Sequence, residues 1–228
     1  MFEAIVFDMD GVLIQSRELI AKTWSQVARE QGVVLSAACL RDHVHGRPGS
    51  YTLHHLFGHL PLERRQALKQ RVDTLEEQAD CPLLPGAASL IRQLLRLKVP
   101  LALVTSSWSA RIAHVLQQHQ LQTAFSVVIS RDDVQRGKPA PEGYCLAAKK
   151  LKLPAAHCLV FEDSLSGVQA ACQAGTPCVA IGDEPSLTAE GARWSSPDFR
   201  DVHIVRESST LYCEQKQPRA SPRKVPTP

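Results

Sequence analysis

The chain has 228 residues with a formal charge of +3, 44% hydrophobic and 21% charged residues, which is room for one large domain or for a core with a smaller unit. The last twenty residues hold four cations (Lys216, Arg219, Arg223, Lys224) against one anion (Glu214); this accounts for the whole excess and leaves no basic footprint for nucleic acid on the rest. No apolar run reaches the length of about 18 residues that a membrane span needs.

Glu3 stands where a secretory leader would want a positive charge, so no leader is expected. The seven cysteines are odd in number and never spaced C-x-x-C, which argues against a disulfide framework or a zinc knuckle and predicts a reduced, cytoplasmic setting.

In chain order, the first element is the apolar run AIVF (4–7), predicted as a strand and followed at once by Asp8, Asp10 and Gly11. From 16 to 82 only helical patterns occur. Leu19, Ile20, Trp24, Val27 and Ala28 share one face ahead of Gly32; Leu68, Val72, Leu75 and Ala79 share another. Further strand-length runs follow at PLALV (100–104), FSVVI (125–129), CLVF (158–161) and CVAI (178–181). The helical patterns between them are marked by Leu90, Ile91, Leu94 and Leu95, by Trp108, Ile112, Val115 and Leu116, and by Tyr144, Ala148 and Leu151 after Pro141. A last helix is expected from Ser164 as N-cap to Gly175 just past its end.

Strands that are apolar on both faces and alternate with helices predict an α/β fold with a parallel sheet covered on both sides. The expected organisation is a catalytic core of 1–15 plus 83–208, an inserted helical cap of 16–82, and a disordered tail of 209–228, rich in Pro and polar residues. Trp24 and Trp108 are expected as core anchors.

In a parallel sheet, ligands bind beyond the carboxyl ends of the strands. The residues expected there are Asp8 and Asp10 after the first run, Thr105 and Ser106 after the second, Lys138 beyond the third, and Glu162 and Asp163 after the fourth. Carboxylates, one ammonium and a hydroxyl-and-amide cradle at a single edge are what metal-assisted attack on a phosphate ester requires. Uncatalysed hydrolysis of such an ester is so slow that accelerations approach 10²¹-fold, roughly. Asp8, Asp163 and the backbone carbonyl of residue 10 suit Mg²⁺. Lys138, the Thr105 hydroxyl and the N–H groups of 106 and 107 suit the phosphate oxygens. Asp8, kept ionised by its cations, can attack phosphorus; Asp10 can protonate the leaving oxygen and then take a proton from water.

Each of these segments alone has a plain structural reading: an Asp-Gly turn, an N-cap cluster, first-turn acids, a solvated loop lysine. Together, "FDMDGVL", "VTSS", "GKPAPEGY" and "FEDSLSGV" resemble in order and spacing the four motifs of the haloacid dehalogenase superfamily. The likeness is to its small-helical-cap phosphatase and β-phosphoglucomutase-like branch, and it covers about residues 2–182. The resemblance implies a Rossmann-like core with an inserted helical cap. It implies Asp8 as nucleophile and Asp10 as acid/base, Thr105, Ser106 and Lys138 on phosphate, and Mg²⁺ held at Asp8, Asp10 and Asp163 with Glu162 assisting.

The implied activity is hydrolysis of small phosphorylated metabolites, sugar or polyol phosphates, with a small phosphate ester as the partner in a monomer or small homo-oligomer. In the cap, "HVHGRPGSY" resembles a substrate-facing loop and marks Arg47 as the substrate contact, with His43 or His45 beside it; His55 and His59 are read as structural or solvated. Two departures stand out. Gln15 replaces a common Asp ahead of Ser16, which predicts altered hinge or substrate contacts. Ile20 stands where mutases carry a cap histidine, which favours hydrolysis over a hexose phosphomutase. An idle binding or regulatory protein on the same fold is the remaining alternative; its usual mark, loss of Asp8, Asp10 or Asp163, is absent.

Overall fold

The computed structural model describes residues 2–207 and 210–215. A six-stranded sheet of β1 (Ala4–Phe7), β2 (Leu101–Val104), β3 (Val127–Ile129), β4 (Cys158–Glu162), β5 (Cys178–Ile181) and β6 (Ser195–Ser196) runs in the order β3-β2-β1-β4-β5-β6. Every pairing in it is parallel. The first strand of the chain therefore lies at the centre of the sheet. Its alternate side chains enter different cores: Ile5 and Phe7 pack into one face, Ala4 and Val6 into the other. Five core helices accompany the sheet: α5 (Ala87–Arg96), α6 (Ser109–Gln118), α7 (Glu142–Leu151), α8 (Leu165–Gln173) and the short α9 (Ser186–Ala189).

Between β1 and α5 come four helices, α1 (Arg17–Glu30), α2 (Ala37–His43), α3 (Gly49–Phe57) and α4 (Leu62–Glu77). They bury their own apolar cluster, built on Trp24, Val27, Phe57, Leu68 and Val72. The chain enters and leaves this cap along two adjacent segments. Ile14 bridges Leu83 in antiparallel fashion, and Gln15 N–H donates to the Pro82 carbonyl at 2.8 Å. The Gln15 side-chain amide also donates to the Leu83 carbonyl at 3.1 Å, so this residue ties the two crossings together.

The tail differs from expectation. Thr210–Gln215 is not disordered; it forms β8, paired antiparallel with β7 (Val202–Glu207). Leu211 is 1% exposed and its N–H donates to the Phe2 carbonyl. Burying a leucine contributes roughly 1.5–3 kcal/mol, and the alternation of Leu211 and Cys213 inward is a strand pattern that the polar residues after it disguised. Residues 216–228 lie outside the described residues. No helix among the described residues is long and apolar enough to cross a membrane.

Candidate active site

Phe7 and Phe161 are register partners on β1 and β4, with ring centroids 5.3 Å apart. The Asp8 N–H donates to the Phe161 carbonyl at 3.0 Å, which sets Asp8 beside Glu162 at the carboxyl edge of the sheet. There the chain turns sharply. Gly11 has φ of +79°, and a Cβ on it would come within 1.9 Å of the Asp163 carboxylate, so only glycine lets that carboxylate lie against the loop.

Lys138, from the segment between β3 and α7, reaches into this cluster. Its ammonium donates at 2.5 Å to Asp8 Oδ1 and at 2.5 Å to Glu162 Oε1. The Glu162 side chain is fully buried. Its Oε1 also accepts from the Tyr144 hydroxyl at 2.6 Å, and its Oε2 from the N–H groups of Asp163 and Ser164 and the Ser164 hydroxyl. Gly167 in the first turn of α8 permits this seat, because a Cβ there would meet the Glu162 carboxylate at 1.9 Å.

The electrostatics follow from burial. The Lys138 ammonium is raised above its ordinary pKa: burial alone would lower it, but Asp8 and Glu162 outweigh that. Asp8 and Asp163 are both raised, chiefly by burial. Three carboxylates (Asp8, Glu162, Asp163) bring oxygens within 4.8 Å of one another. They face one ammonium and, at 3.7 Å from Asp163, the half-exposed Arg17. A hard divalent cation fits that surplus of negative charge. Glu162 has both oxygens engaged, one of them by Lys138, whereas Asp8 and Asp163 are the carboxylates of this cluster that could hold such a cation.

Asp10 lines the same cavity but bonds to other partners than the Asp8–Lys138–Glu162 cluster. Its Oδ2 accepts from the Ser107 hydroxyl at 2.9 Å and its Oδ1 from Arg111 Nη2 at 2.8 Å. Burial works to raise its pKa, but the charge and hydrogen bonds of Arg111, helped by Ser107, hold it below the ordinary carboxylate value. Thr105 Oγ1 accepts from the Ser107 N–H at 3.1 Å, tightening the turn that leads to α6, with Ser106 exposed beside it.

A cavity of about 640 Å³ opens over this edge and is lined by Asp8, Asp10, Thr105, Ser106, Lys138 and Asp163. The cap supplies its roof, including Ile20, His45, Arg47, Lys69, Asp73 and Glu76. The Ser166 hydroxyl donates to the Gly46 carbonyl at 2.5 Å and seats the cap loop on the core. Arg47 lines the cavity from this loop; its Nε donates to the Asp42 carbonyl and its guanidinium lies 5.2 Å from the Tyr51 ring centre. His43 is turned away, stacked on His55 at 3.6 Å and bonded to the Tyr51 hydroxyl.

The structure brings together Asp8, Asp10, Thr105, Ser106, Lys138, Glu162 and Asp163, with Arg47 across the cavity. Trp108 corrects an expectation: it is not a core anchor but lines the cavity, its indole N–H donating to Glu77 at 2.7 Å. Two residues escaped sequence reasoning. Arg111 is fully buried, and the spacing 108, 111, 112, 115 puts it on the buried face of α6, a signal that was legible. Glu76, four residues after Val72 on α4, is 8% exposed, and burial pushes its carboxyl up to about 7.

A family model for haloacid dehalogenase-like hydrolases matches residues 2–175. The chain is similar to validoxylamine A 7'-phosphate phosphatase of Streptomyces hygroscopicus subsp. limoneus, with 32% identity over 187 residues covering 79% of this chain and 86% of that one. It is also similar to hexitol phosphatase A of Escherichia coli (strain K12), 29% identical over 218 residues and 95% of each chain. Among solved structures, CbbY from Rhodobacter sphaeroides in complex with phosphate matches with a TM-score of 0.73 at 26% identity, covering 87% of this chain and 95% of that one. The four strand-end segments and the family match agree, and the chain belongs to the haloacid dehalogenase-like hydrolases.

Proposed function

We propose that this protein is a Mg²⁺-dependent phosphatase of small phosphorylated sugars or polyols, working through an aspartyl-phosphate intermediate on Asp8. The observation that carries this reading is the buried Asp8–Lys138–Glu162 arrangement opening, with Asp163, into a cavity that the cap roofs. The similarity to proteins named as phosphatases, one of them of a hexitol, supports the substrate class.

Asp8, Asp163 and the Asp10 carbonyl would hold the metal, which when bound supplies charge neutralisation to the phosphate dianion. The chain's own groups do the rest. Lys138 and the Thr105 hydroxyl, with the Ser106 N–H, bind the phosphate oxygens. Asp8 attacks phosphorus as the bond to the ester oxygen breaks, and Asp10 gives that oxygen its proton. Water then attacks the phosphorus of the aspartyl phosphate, Asp10 takes a proton from it, and phosphate leaves with Asp8 restored. Ile20 in the cavity wall offers no group to handle a proton of a sugar hydroxyl, which favours hydrolysis over isomerisation.

The test is phosphate release from a panel of phosphorylated metabolites with Mg²⁺ or with EDTA. Release from hexose or polyol phosphates that EDTA abolishes is the expected result. No release, with isomerisation of a bisphosphate-primed hexose phosphate instead, would replace the proposal with a mutase; silence in both assays would remove the enzyme.

A further inference from the structure

We infer that Arg111 is the positioning residue that sets the proton-handling carboxylate Asp10 and links its orientation to the seating of the cap; this rests on the reading of Asp10 given above. Arg111 belongs to the core helix α6 and is 0% exposed. One arm of its guanidinium, Nη2, donates to Asp10 Oδ1 at 2.8 Å; the other, Nη1, donates to the carbonyl of Glu76 in the last turn of the cap helix α4. That carbonyl lies at the negative end of the helix, where a cation is favoured. The third nitrogen, Nε, is buried without a hydrogen-bond partner among the described residues.

A buried guanidinium with one donor already unserved is costly to leave short of a second acceptor. The bond to Asp10 and the bond to the cap helix therefore favour one another. The planar fork fixes the direction of the carboxyl group, and Ser107 holds its other oxygen at 2.9 Å. Moving the cap away would withdraw the Glu76 carbonyl, open the pair to water and release Asp10 from its set direction. A misplacement of about 1 Å in a catalytic constellation can lower rates by about 10²-fold.

Proton donation matters most when the leaving group is a poor one. An alkoxide from a polyol phosphate needs the proton of Asp10, whereas p-nitrophenolate leaves without it. The experiment compares kcat/KM for a hexitol phosphate and for p-nitrophenyl phosphate in wild type, Arg111→Met and Arg111→Lys, since kcat/KM reports the phosphoryl-transfer step that expels the leaving group. Arg111→Met is expected to lower the value for the hexitol ester about 10- to 100-fold while that for the aryl ester falls far less. Arg111→Lys, which keeps the charge but lacks the planar fork that spans the two acceptors, is expected to lie between and so to report even if the Met variant fails to fold. Equal losses on the two esters, or no loss on either, would overturn the assignment. Failure of the wild-type protein to hydrolyse both esters would instead strike the proposed function.

Discussion

The floor and the roof of the cavity are built on different principles. The floor comes from the core: Asp8, Lys138 and Glu162 have side chains no more than 10% exposed, and each is set by a strand end or by a bond shorter than 3 Å. The roof comes from the cap. Its Lys69–Asp73–Arg131 chain of ion pairs joins α4 to the core loop after β3, with side chains 19–37% exposed, and both cations lie about 5 Å from the Trp108 ring centre. Glu76 adds a buried carboxylate oxygen with no hydrogen-bond partner among the described residues. A floor whose side chains are buried and fixed by short bonds suits chemistry that must not vary. A roof with long, partly exposed side chains suits contact with the variable part of a substrate, and closing it over the floor excludes water.

The contrast is broken most severely at Lys138. Replacing it with Met leaves Asp8 and Glu162 buried without their ammonium, and breaking such a buried pair costs about 3–5 kcal/mol. Lys138→Met is therefore expected both to lose nearly all phosphate release and to unfold at markedly lower denaturant, read by activity and urea titration. A variant that kept wild-type stability would mean that the floor is less tightly coupled than its geometry indicates. Asp10→Asn should cut turnover about 10²–10⁴-fold and also lower stability, because one amide oxygen replaces the two oxygens that accept from Ser107 and Arg111, and the buried guanidinium loses its charge partner. A roof residue should act through affinity instead. Arg47→Ala is expected to raise KM for the hexitol ester by about tenfold, a loss of roughly 1.4 kcal/mol, and to leave kcat within a few-fold. A large kcat effect would move Arg47 from the roof into the chemistry.

The last expected effect is on stability alone and depends on pH. Glu76 titrates near its ordinary 4.5 in the unfolded chain and at about 7 when folded. Between those values the folded state holds a proton that the unfolded state has lost, so stability falls as pH rises through this window and stays low above it. Glu76→Gln cannot ionise and escapes that decline. It should therefore be more stable than wild type at pH 8, by about 1–3 kcal/mol, and the advantage should shrink toward pH 5. Thermal unfolding at the two pH values measures it; an advantage that grew toward low pH would refute the sign.

Much of the floor was legible because a parallel sheet converts chain order into place. Asp8 and Asp163 each follow an apolar run, and strands of such runs end at one edge, so linear position reports spatial convergence. Lys138 and Thr105 were legible for the same reason. The spacing of Arg111 with Ile112 and Val115 did place it on a buried face, whereas Glu76 was hidden because a charged residue inside a helical pattern looks like the solvated face until its neighbours are known. Trp108 was misjudged similarly: the helical spacing that suggested a core anchor carries it to the start of α6, at the mouth of the cavity. The hairpin strand Thr210–Gln215 was hidden by composition, as the polar run that follows it outweighed the two inward residues, Leu211 and Cys213, that make it pair.

The central claim is that Asp8 becomes phosphorylated during turnover. Its most direct test is a single-turnover reaction with the best hexitol or hexose phosphate, quenched with borohydride, which reduces an aspartyl phosphate to homoserine, and read by peptide mass spectrometry. Homoserine at position 8, absent when substrate is omitted, is the result this account predicts. Phosphate release at the same rate with Asp8 unmodified, or the label on another carboxylate, would contradict it.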